Sequence, residues 1–180
     1  MATNLREFLR EQAEKHQAES EAGKAMVKEW RNAIGRLFDQ IKQWLKEADP
    51  GGVIEIEDSE EEIREPSLGR YRVPRLNLRA FGKWIGIIPK ARRTVGRATP
   101  PQKSAPERAE GRVDITDELR RYVLYRFREG DRDVWLIDGL EQGYEVPEKP
   151  WPGQVQYLPR LESRPLNQEA FEKALMSYLR

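Results

Sequence analysis

Few residues in this sequence have the type and spacing that catalysis requires. His16 is the only histidine and the chain has no cysteine, which excludes a histidine metal pair, a thiolate metal site and a cysteine nucleophile. The carboxylates of Asp114, Asp138 and Glu145 fall at or near the ends of predicted strands, a position that suits metal-bound acids. No lysine completes such a site. We therefore interpret the three acids as caps and turn residues, and His16 as a solvated surface residue.

Two other patterns bear on ligand chemistry. The acidic run 58–65 could hold calcium or imitate a phosphate backbone, but it lacks the order of oxygen ligands and the central glycine of an EF-hand loop. We interpret it as a solvated loop that balances nearby arginines, and Asp131 and Asp133 as turn residues. Neither GxGxxG nor GxxxxGK(S/T) occurs, so nucleotide-dependent chemistry has no support. The sequence therefore predicts no enzyme, no metal site and no cofactor.

The basic segment 90–112 is the most suggestive stretch for ligand binding. It carries seven cations against two carboxylates, and flexible basic segments bind nucleic acid through the phosphate backbone. However, it contains no aromatic side chain that could stack on bases. Its prolines and its lack of large apolar side chains predict a disordered loop. The candidate nucleic-acid-binding residues are Lys90, Arg92, Arg93, Arg97 and Lys103.

Length and composition indicate a soluble protein with a modest core. The chain has 180 residues, of which 35% are charged and 38% hydrophobic, and its net charge is +1. The charge is uneven, because residues 67–112 carry a net charge of +10 between acidic flanks. No run of about 18 apolar residues could cross a membrane, and the first residues lack the apolar core of a signal peptide. We therefore expect a cytoplasmic protein with no membrane partner.

The dominant structural pattern is an apolar face within residues 25–45. Large side chains recur there at steps of three and four, which places them on one side of an α-helix. This stretch must dock on a core, since each such side chain gains roughly 1.5–3 kcal/mol on burial. Residues 11–24 offer only alanines as apolar side chains. We therefore predict two helical pieces that meet, straight or kinked, near residues 20–23, and the pattern leaves open whether residues 1–48 form one helix or two.

The remaining elements predict an α+β fold. Alternation of apolar and polar residues, bounded by turn residues, indicates strands. The predicted strands are 53–57, 69–80, 83–88, 113–115, 122–127 and 134–137. The alternation changes phase after Pro74, where we predict a bulge or bend, and Asn167 caps a final helix. We expect a long N-terminal helix and a C-terminal helix packed on one antiparallel sheet of about 5–6 strands, with a disordered basic loop.

This organisation suggests a function by presentation rather than by catalysis. We expect residues 1–24 to be a projecting helical segment and residues 25–180 to be a single α+β domain with a flexible basic loop at 90–112. The first hypothesis is a non-enzymatic protein–protein interaction module, an accessory or regulatory subunit of a larger bacterial assembly. It would bind a protein partner or a second copy through Leu5, Phe8 and Leu9. The alternative is a sequence-independent nucleic-acid-binding protein that uses the basic middle third of the chain.

Overall fold

The computed structural model describes residues 4–94, 97–98, 100, 103–104, 107–139 and 163–180. Within these residues the helices are α1 (Leu5–Ala48) and α2 (Gln168–Leu179). The strands in the same part of the chain are β1 (Glu55–Glu65), β2 (Gly69–Ala80), β3 (Lys83–Ala91), β4 (Arg97–Ala98), β5 (Glu107–Arg108), β6 (Gly111–Thr116), β7 (Arg121–Glu129), β8 (Arg132–Gly139) and β9 (Arg164–Pro165).

Seven strands form one sheet in the order β1–β2–β3–β6–β7–β8–β9, and β4 and β5 form a separate two-stranded ribbon. All neighbouring strands are antiparallel. The predicted α+β class is confirmed, with seven strands in the sheet instead of 5–6. The additional strand is β9, whose two residues are too few to carry a recognisable pattern. The predicted strands 122–127 and 134–137 form a hairpin as β7 and β8, since Glu129 pairs with Arg132 across Gly130 and Asp131.

Helix α1 is continuous from Leu5 to Ala48, so the two predicted pieces belong to one helix with no break near residues 20–23. The helix begins at Asn4, whose side-chain oxygen accepts the N–H of Arg6 at 3.0 Å. Alanine, glutamate, lysine and arginine are good helix formers, and the single Gly23 costs only about 1 kcal/mol. Intrinsic propensity therefore continues the helix through the stretch that has no core face. The apolar face itself is confirmed, and its buried members are Trp30, Ala33, Ile34, Leu37, Phe38, Ile41 and Leu45.

Strand β1 is longer than predicted and takes in the acidic run 58–65. Our interpretation of this run as a solvated loop is wrong, because it pairs with β2 along its whole length, from Glu55 opposite Arg79 to Glu65 opposite Gly69. Arginines of β2 balance its charge, as in the ion pair of 2.8 Å between Arg75 and Glu61. The pairing shows no register shift. The first of the two predicted irregularities after Pro74, a bulge in β2, is therefore excluded, and the second, a bend, is not tested by the register.

The described residues of the basic segment 90–112 also differ from the predicted disordered loop. Both ends belong to strands of the sheet, and the ribbon of β4 and β5 lies between them. Hydrogen bonds order this stretch, because the backbone N–H groups of Arg92 and Arg93 donate to the Glu65 carboxylate at 2.7 and 2.8 Å. The Arg108 guanidinium likewise donates to the carbonyl oxygen of the buried Thr94 at 2.6 Å. Hydrogen bonds of this kind do not require apolar residues, so the sequence shows no periodic apolar pattern here. For that reason the composition predicted a loop.

Both helices pack on the sheet around one hydrophobic core. Trp30 of α1 is fully buried, and its ring stacks on that of Trp135 in β8 with the centroids 6.1 Å apart. Phe171 of α2 packs against Trp44 of α1 at a centroid distance of 5.8 Å. The hydroxyl of Tyr178 in α2 donates a hydrogen bond of 2.6 Å to the β6 backbone. The core thus fixes the second half of α1 against β8 and α2, and α2 against β6.

Gly111 is expected to be essential for this packing. A Cβ atom added there would lie 2.4 Å from Cζ3 of Trp30, so Gly111→Ala should lower the free energy of unfolding by about 1–3 kcal/mol through overpacking. The matched control is Gly35→Ala in α1, where an added Cβ meets nothing within 4 Å and should stabilise the helix by about 0.5–1 kcal/mol. Urea unfolding of both variants measures the difference. A Gly111→Ala variant as stable as the wild type would show that Trp30 does not pack on β6.

Candidate protein-binding surface

The first half of α1 lies outside the core. Residues 5–22 are exposed along the whole stretch, and partial burial begins at Gly23. At a rise of 1.5 Å per residue, the exposed stretch is roughly 27 Å long. The anchored second half holds this stretch in helical form, because propagation of an existing helix avoids the cost of nucleation.

Three large apolar side chains lie together on this exposed stretch, and we call them the apolar trio. They are Leu5, Phe8 and Leu9, with exposed fractions of 69, 48 and 56%. Spacings of three and four residues make them neighbours on the helix surface. The same periodicity puts them in line with the core face that begins at Trp30. Clustered exposed apolar side chains mark interaction sites, whereas single scattered ones do not.

A groove lies where α1 leaves the domain. It has a volume of about 630 Å³ and is bounded by α1 and the turn between β1 and β2. Leu68 of that turn faces the helix, since a Cβ added at Gly23 would lie 3.8 Å from its Cδ2. His16 is exposed, as predicted, and lines the groove. The charged residues of its lining, which give the groove a net positive charge, are Glu19, Lys24, Lys28, Arg31 and Arg70.

A buried arginine holds α1 against the sheet at the base of this exposed stretch. The Arg126 side chain of β7 is 0% exposed. Its guanidinium donates to Asp133 Oδ1 of β8 at 2.8 and 2.6 Å. It also donates to both carboxylate oxygens of Glu29 in α1, with a distance of 3.1 Å from Nη1 to Oε2. Because bonds from a guanidinium to carboxylates are among the strong ones, this contact fixes the position of α1 across the sheet.

Two further arginines complete what we call the Arg126 network. Arg36, about two helical turns beyond Glu29 in α1, donates to Asp133 Oδ2 at 2.6 and 3.0 Å. Arg92 lies 3.6 Å from Glu29 and donates to the carbonyl oxygen and the carboxylate of Glu110 at 2.8 and 3.2 Å. Three guanidinium groups thus meet three carboxylates, those of Glu29, Asp133 and Glu110, so the charges of the network are balanced.

The network lowers the pKa of both central carboxyl groups. Partial burial by itself would raise the pKa of Glu29, but the hydrogen bond and charge of Arg126, with the charge of Arg92, hold it below its ordinary value. Burial would also raise the pKa of Asp133, and the hydrogen bonds from Arg36 and Arg126 lower it instead. Both groups therefore favour the charged form in the folded protein.

These lowered pKa values predict a loss of stability in acid. A group whose pKa is lower in the folded protein stabilises the fold above its unfolded pKa, here about 4. That contribution is lost as pH falls through the folded pKa values. The free energy of unfolding should therefore drop below about pH 4, more steeply in the wild type than in the Glu29→Gln/Asp133→Asn variant. Urea midpoints between pH 3 and 7 measure this, and equal slopes in the two proteins would contradict the predicted linkage.

Comparison with known proteins does not place the chain in a family. It matches no family model, and no curated protein and no solved structure is significantly similar to it. In the part of the chain that the structure describes, no group of three or more His, Cys, Asp or Glu residues could hold a metal ion. Neither described helix combines the length and the apolar character needed to span a membrane. A functional interpretation therefore depends on the surface features themselves.

The candidate nucleic-acid-binding residues differ in their exposure and in their ion pairs. The side chain of Arg92 is only 12% exposed and belongs to the Arg126 network. Lys103 is exposed and pairs with the carboxylate four residues later at 2.8 Å. Lys90 and Arg93 are exposed, whereas the side chain of Arg97 lies outside the described residues. The basic segment therefore uses at least one of its cations inside the fold.

The carboxylates that could have formed a metal site take part in the fold instead, where the structure describes them. Asp114 is buried and accepts two hydrogen bonds from Arg112, at 2.7 and 3.0 Å, which suits a structural ion pair. Asp138 is half-buried in β8, and Glu145 lies outside the described residues. The interpretation of Asp133 as a turn residue is wrong, because Asp133 lies in β8, where its carboxylate binds two arginines. Asp131 lies in the turn before β8, as predicted.

Sequence reasoning missed Arg126, the centre of the network. One signal was present: in β7, alternation puts Arg126 on the same face as Leu124, and both side chains are fully buried. An arginine at an inward position requires a buried acid as its partner. Asp133 lies only seven positions from Arg126 but was interpreted as a turn residue, and Glu29 of α1 lies 97 positions away.

Proposed function

We propose that this protein is a non-enzymatic protein–protein interaction module, an accessory or regulatory subunit that presents the first half of α1 to a protein partner. The observation that carries the proposal is the exposed apolar trio on a helix whose other half is anchored. A partner that covers the trio gains roughly 1.5–3 kcal/mol for each large side chain that it buries. The helix is already formed, so little of this gain is lost to ordering.

The geometry favours one mode of recognition. Apolar side chains at positions i, i+3 and i+4 of a helix are the anchors with which amphipathic helices enter apolar grooves of their partners. The positively charged groove at the base of the exposed stretch favours acidic side chains at the rim of the partner. We therefore expect a partner with an apolar groove and an acidic border.

Sequence-independent binding of nucleic acid through the basic segment has less support. Arg92, one of its candidate contacts, would have to leave the carboxylates of the Arg126 network to reach a phosphate. Lys90 and Arg93 remain exposed for such contacts. A filter-binding assay on duplex DNA at about 50 mM salt tests this alternative, because phosphate contacts are strong at low salt.

Site-specific crosslinking tests the proposal. A photoreactive amino acid replaces Phe8 in one protein and Glu14 in a matched control, which lies on the opposite side of the same exposed stretch of helix. Both proteins are irradiated in a lysate of the source cells, with the crosslinked species identified by mass spectrometry. We expect a discrete adduct from position 8 and none from position 14. The adduct should disappear when Leu5 and Leu9 are also replaced by alanine.

Two results would contradict the proposal. One is an equal pattern of adducts from both positions, which indicates collisions without a preferred face. The other is the absence of any adduct from position 8 while the protein remains folded by circular dichroism. Because the trio is exposed, replacement of its members is not expected to unfold the domain.

A further inference from the structure

Two non-glycine residues among those described have positive φ, and both lie in turns. The φ angle is 53° at Phe81 and 77° at Glu118. Outside glycine, asparagine and aspartate such a backbone is uncommon and strained. Phe81 and Gly82, whose φ is 72°, form the two-residue turn between β2 and β3. Asn-Gly is the preferred sequence for a turn with two positive φ angles, so the turn itself does not explain a phenylalanine.

The same two turns expose large apolar side chains. Phe81 is 75% exposed, and Leu119, which follows Glu118, is 93% exposed. These are the highest exposures of any large apolar side chain in the described part of the chain. Strained backbone that is retained at a surface indicates a functional role for the residue held there. Exposure of the apolar Phe81 ring to water is a second unfavourable contribution at the same position. A partner that covers the ring would remove this contribution.

The two turns are neighbours at one end of the sheet. Strands β3 and β6 pair, with Gly86 opposite Thr116, so the turn before β3 and the turn after β6 lie side by side. Between them is a hollow of about 420 Å³, whose lining residues are Lys83, Trp84, Asp117, Glu118, Arg120 and Tyr178. We call Phe81, Leu119 and this hollow the sheet-end surface.

The charges of the sheet-end surface are self-complementary. Asp117 and Arg120 are paired with each other at 2.8 Å. Lys83 and Glu118 remain, with opposite signs, and neither side chain has an ion pair with a described residue. A two-fold axis through such a surface brings the cation of each copy to the anion of the other. It also brings each protruding phenylalanine to the hollow beside its counterpart.

We propose that the sheet-end surface is the interface of a homodimer. Phe81 of each protomer enters the hollow of its partner, where the half-buried Trp84 provides an aromatic wall. Beside it, the Arg120 guanidinium covers the ring of the buried Tyr178 at 5.0 Å from the ring centroid. Leu119 covers the edge of this contact, and Lys83 pairs with Glu118 of the partner subunit. We assign the partner as a second copy of this chain because one surface carries all the complementary parts. These are the protruding Phe81, the hollow that would receive it, the cation Lys83 and the anion Glu118.

The dimer would have a consequence for presentation of the helix. The exposed stretch of α1 leaves the domain beside the turn between β1 and β2. The sheet-end surface includes the turn between β2 and β3, at the other end of the same strands. Two apolar trios would therefore point away from the dimer interface and could engage two partner sites with increased avidity. This consequence rests on the proposed function, whereas the dimer itself does not.

Sedimentation equilibrium of the wild type and of Phe81→Asn tests the interface. Asparagine suits the turn better than phenylalanine, so the variant should keep its thermal midpoint and dimerise at least about tenfold more weakly. Leu119→Ser is a second variant in a different turn and should also weaken the dimer. Replacement of Leu5, Phe8 and Leu9 by alanine is the matched control and should leave the dimer unchanged.

A charge exchange makes the test specific for the proposed pairing. Lys83→Glu and Glu118→Lys should each weaken self-association, because each creates like-charge contacts across the two-fold axis. An equal mixture of these two variants should recover a dimer, since opposite charges then meet at both contacts. The proposal is overturned if the wild type stays monomeric up to about 100 μM. It is also overturned by a dimer that survives Phe81→Asn and Leu119→Ser, by one that needs the apolar trio instead, or by a mixture that remains monomeric.

Discussion

Trp30→Ala is expected to lower the free energy of unfolding by about 3–5 kcal/mol, the range for large aromatic side chains removed from a core. Trp30 has no exposed surface. Its ring stacks on Trp135 at 6.1 Å, and the Arg126 guanidinium lies 5.9 Å from its centroid. Alanine would leave a cavity at the point where α1 meets β6, β7 and β8. The fold cannot close this cavity without moving the helix.

Urea unfolding with circular dichroism as the probe measures this change, and Phe8→Ala is its matched control. Phe8 is an aromatic residue of the same helix, but it lies on the exposed stretch, so its loss should alter stability by no more than about 0.5 kcal/mol. Similar losses for the two variants would contradict the division of α1 into an anchored and an exposed half.

Arg126→Ala is expected to cost about 3–5 kcal/mol, as does the removal of one partner from a buried ion pair. The guanidinium has no exposed surface, and it is the link between Glu29 of α1 and Asp133 of β8. Without it, both carboxylates lose hydrogen bonds from a charged donor, and a buried volume is left empty. Arg126→Met should cost less, since it fills part of that volume.

Arg128→Ala in the same strand is the control for the loss of an arginine as such. Arg128 is exposed, and its replacement should change the urea midpoint little. A double-mutant cycle between Arg126 and Glu29 isolates the contact itself, for which a coupling of about 0.5–3 kcal/mol is expected. Additive effects within the error of the cycle would show that the contact does not hold the helix.

The sequence predicted those elements whose stability depends on periodic apolar burial. Residues 25–45 were identified because nearly every large side chain on one helical face is apolar, and the hairpin of β7 and β8 because its alternation is interrupted only by a turn around Gly130. The apolar trio was recognised from the same periodicity, since Leu5, Phe8 and Leu9 share one helical face. The residues that follow them, 11–24, add no large apolar side chain to that face.

Elements that are stabilised by ion pairs and hydrogen bonds could not be predicted from apolar periodicity. The acidic run became part of β1 because arginines of β2 pair with it, and the basic segment is ordered in part by Glu65. The burial of Arg126 depends on a carboxylate 97 positions away in the chain. Phe81 falls between the predicted strands 69–80 and 83–88, but its apolar character gave no indication that its side chain is exposed.

Hydrogen exchange along α1 in the protein without its partner tests the central claim most directly, namely that one continuous helix has an anchored half and a half that is free for a partner. Amides of residues 8–20 should exchange through local opening, with protection at least about tenfold below that of residues 30–45, which open only with the core. Equal protection of both stretches would contradict the claim. The first half of α1 would then be held by contacts within the domain and would not be available to a partner.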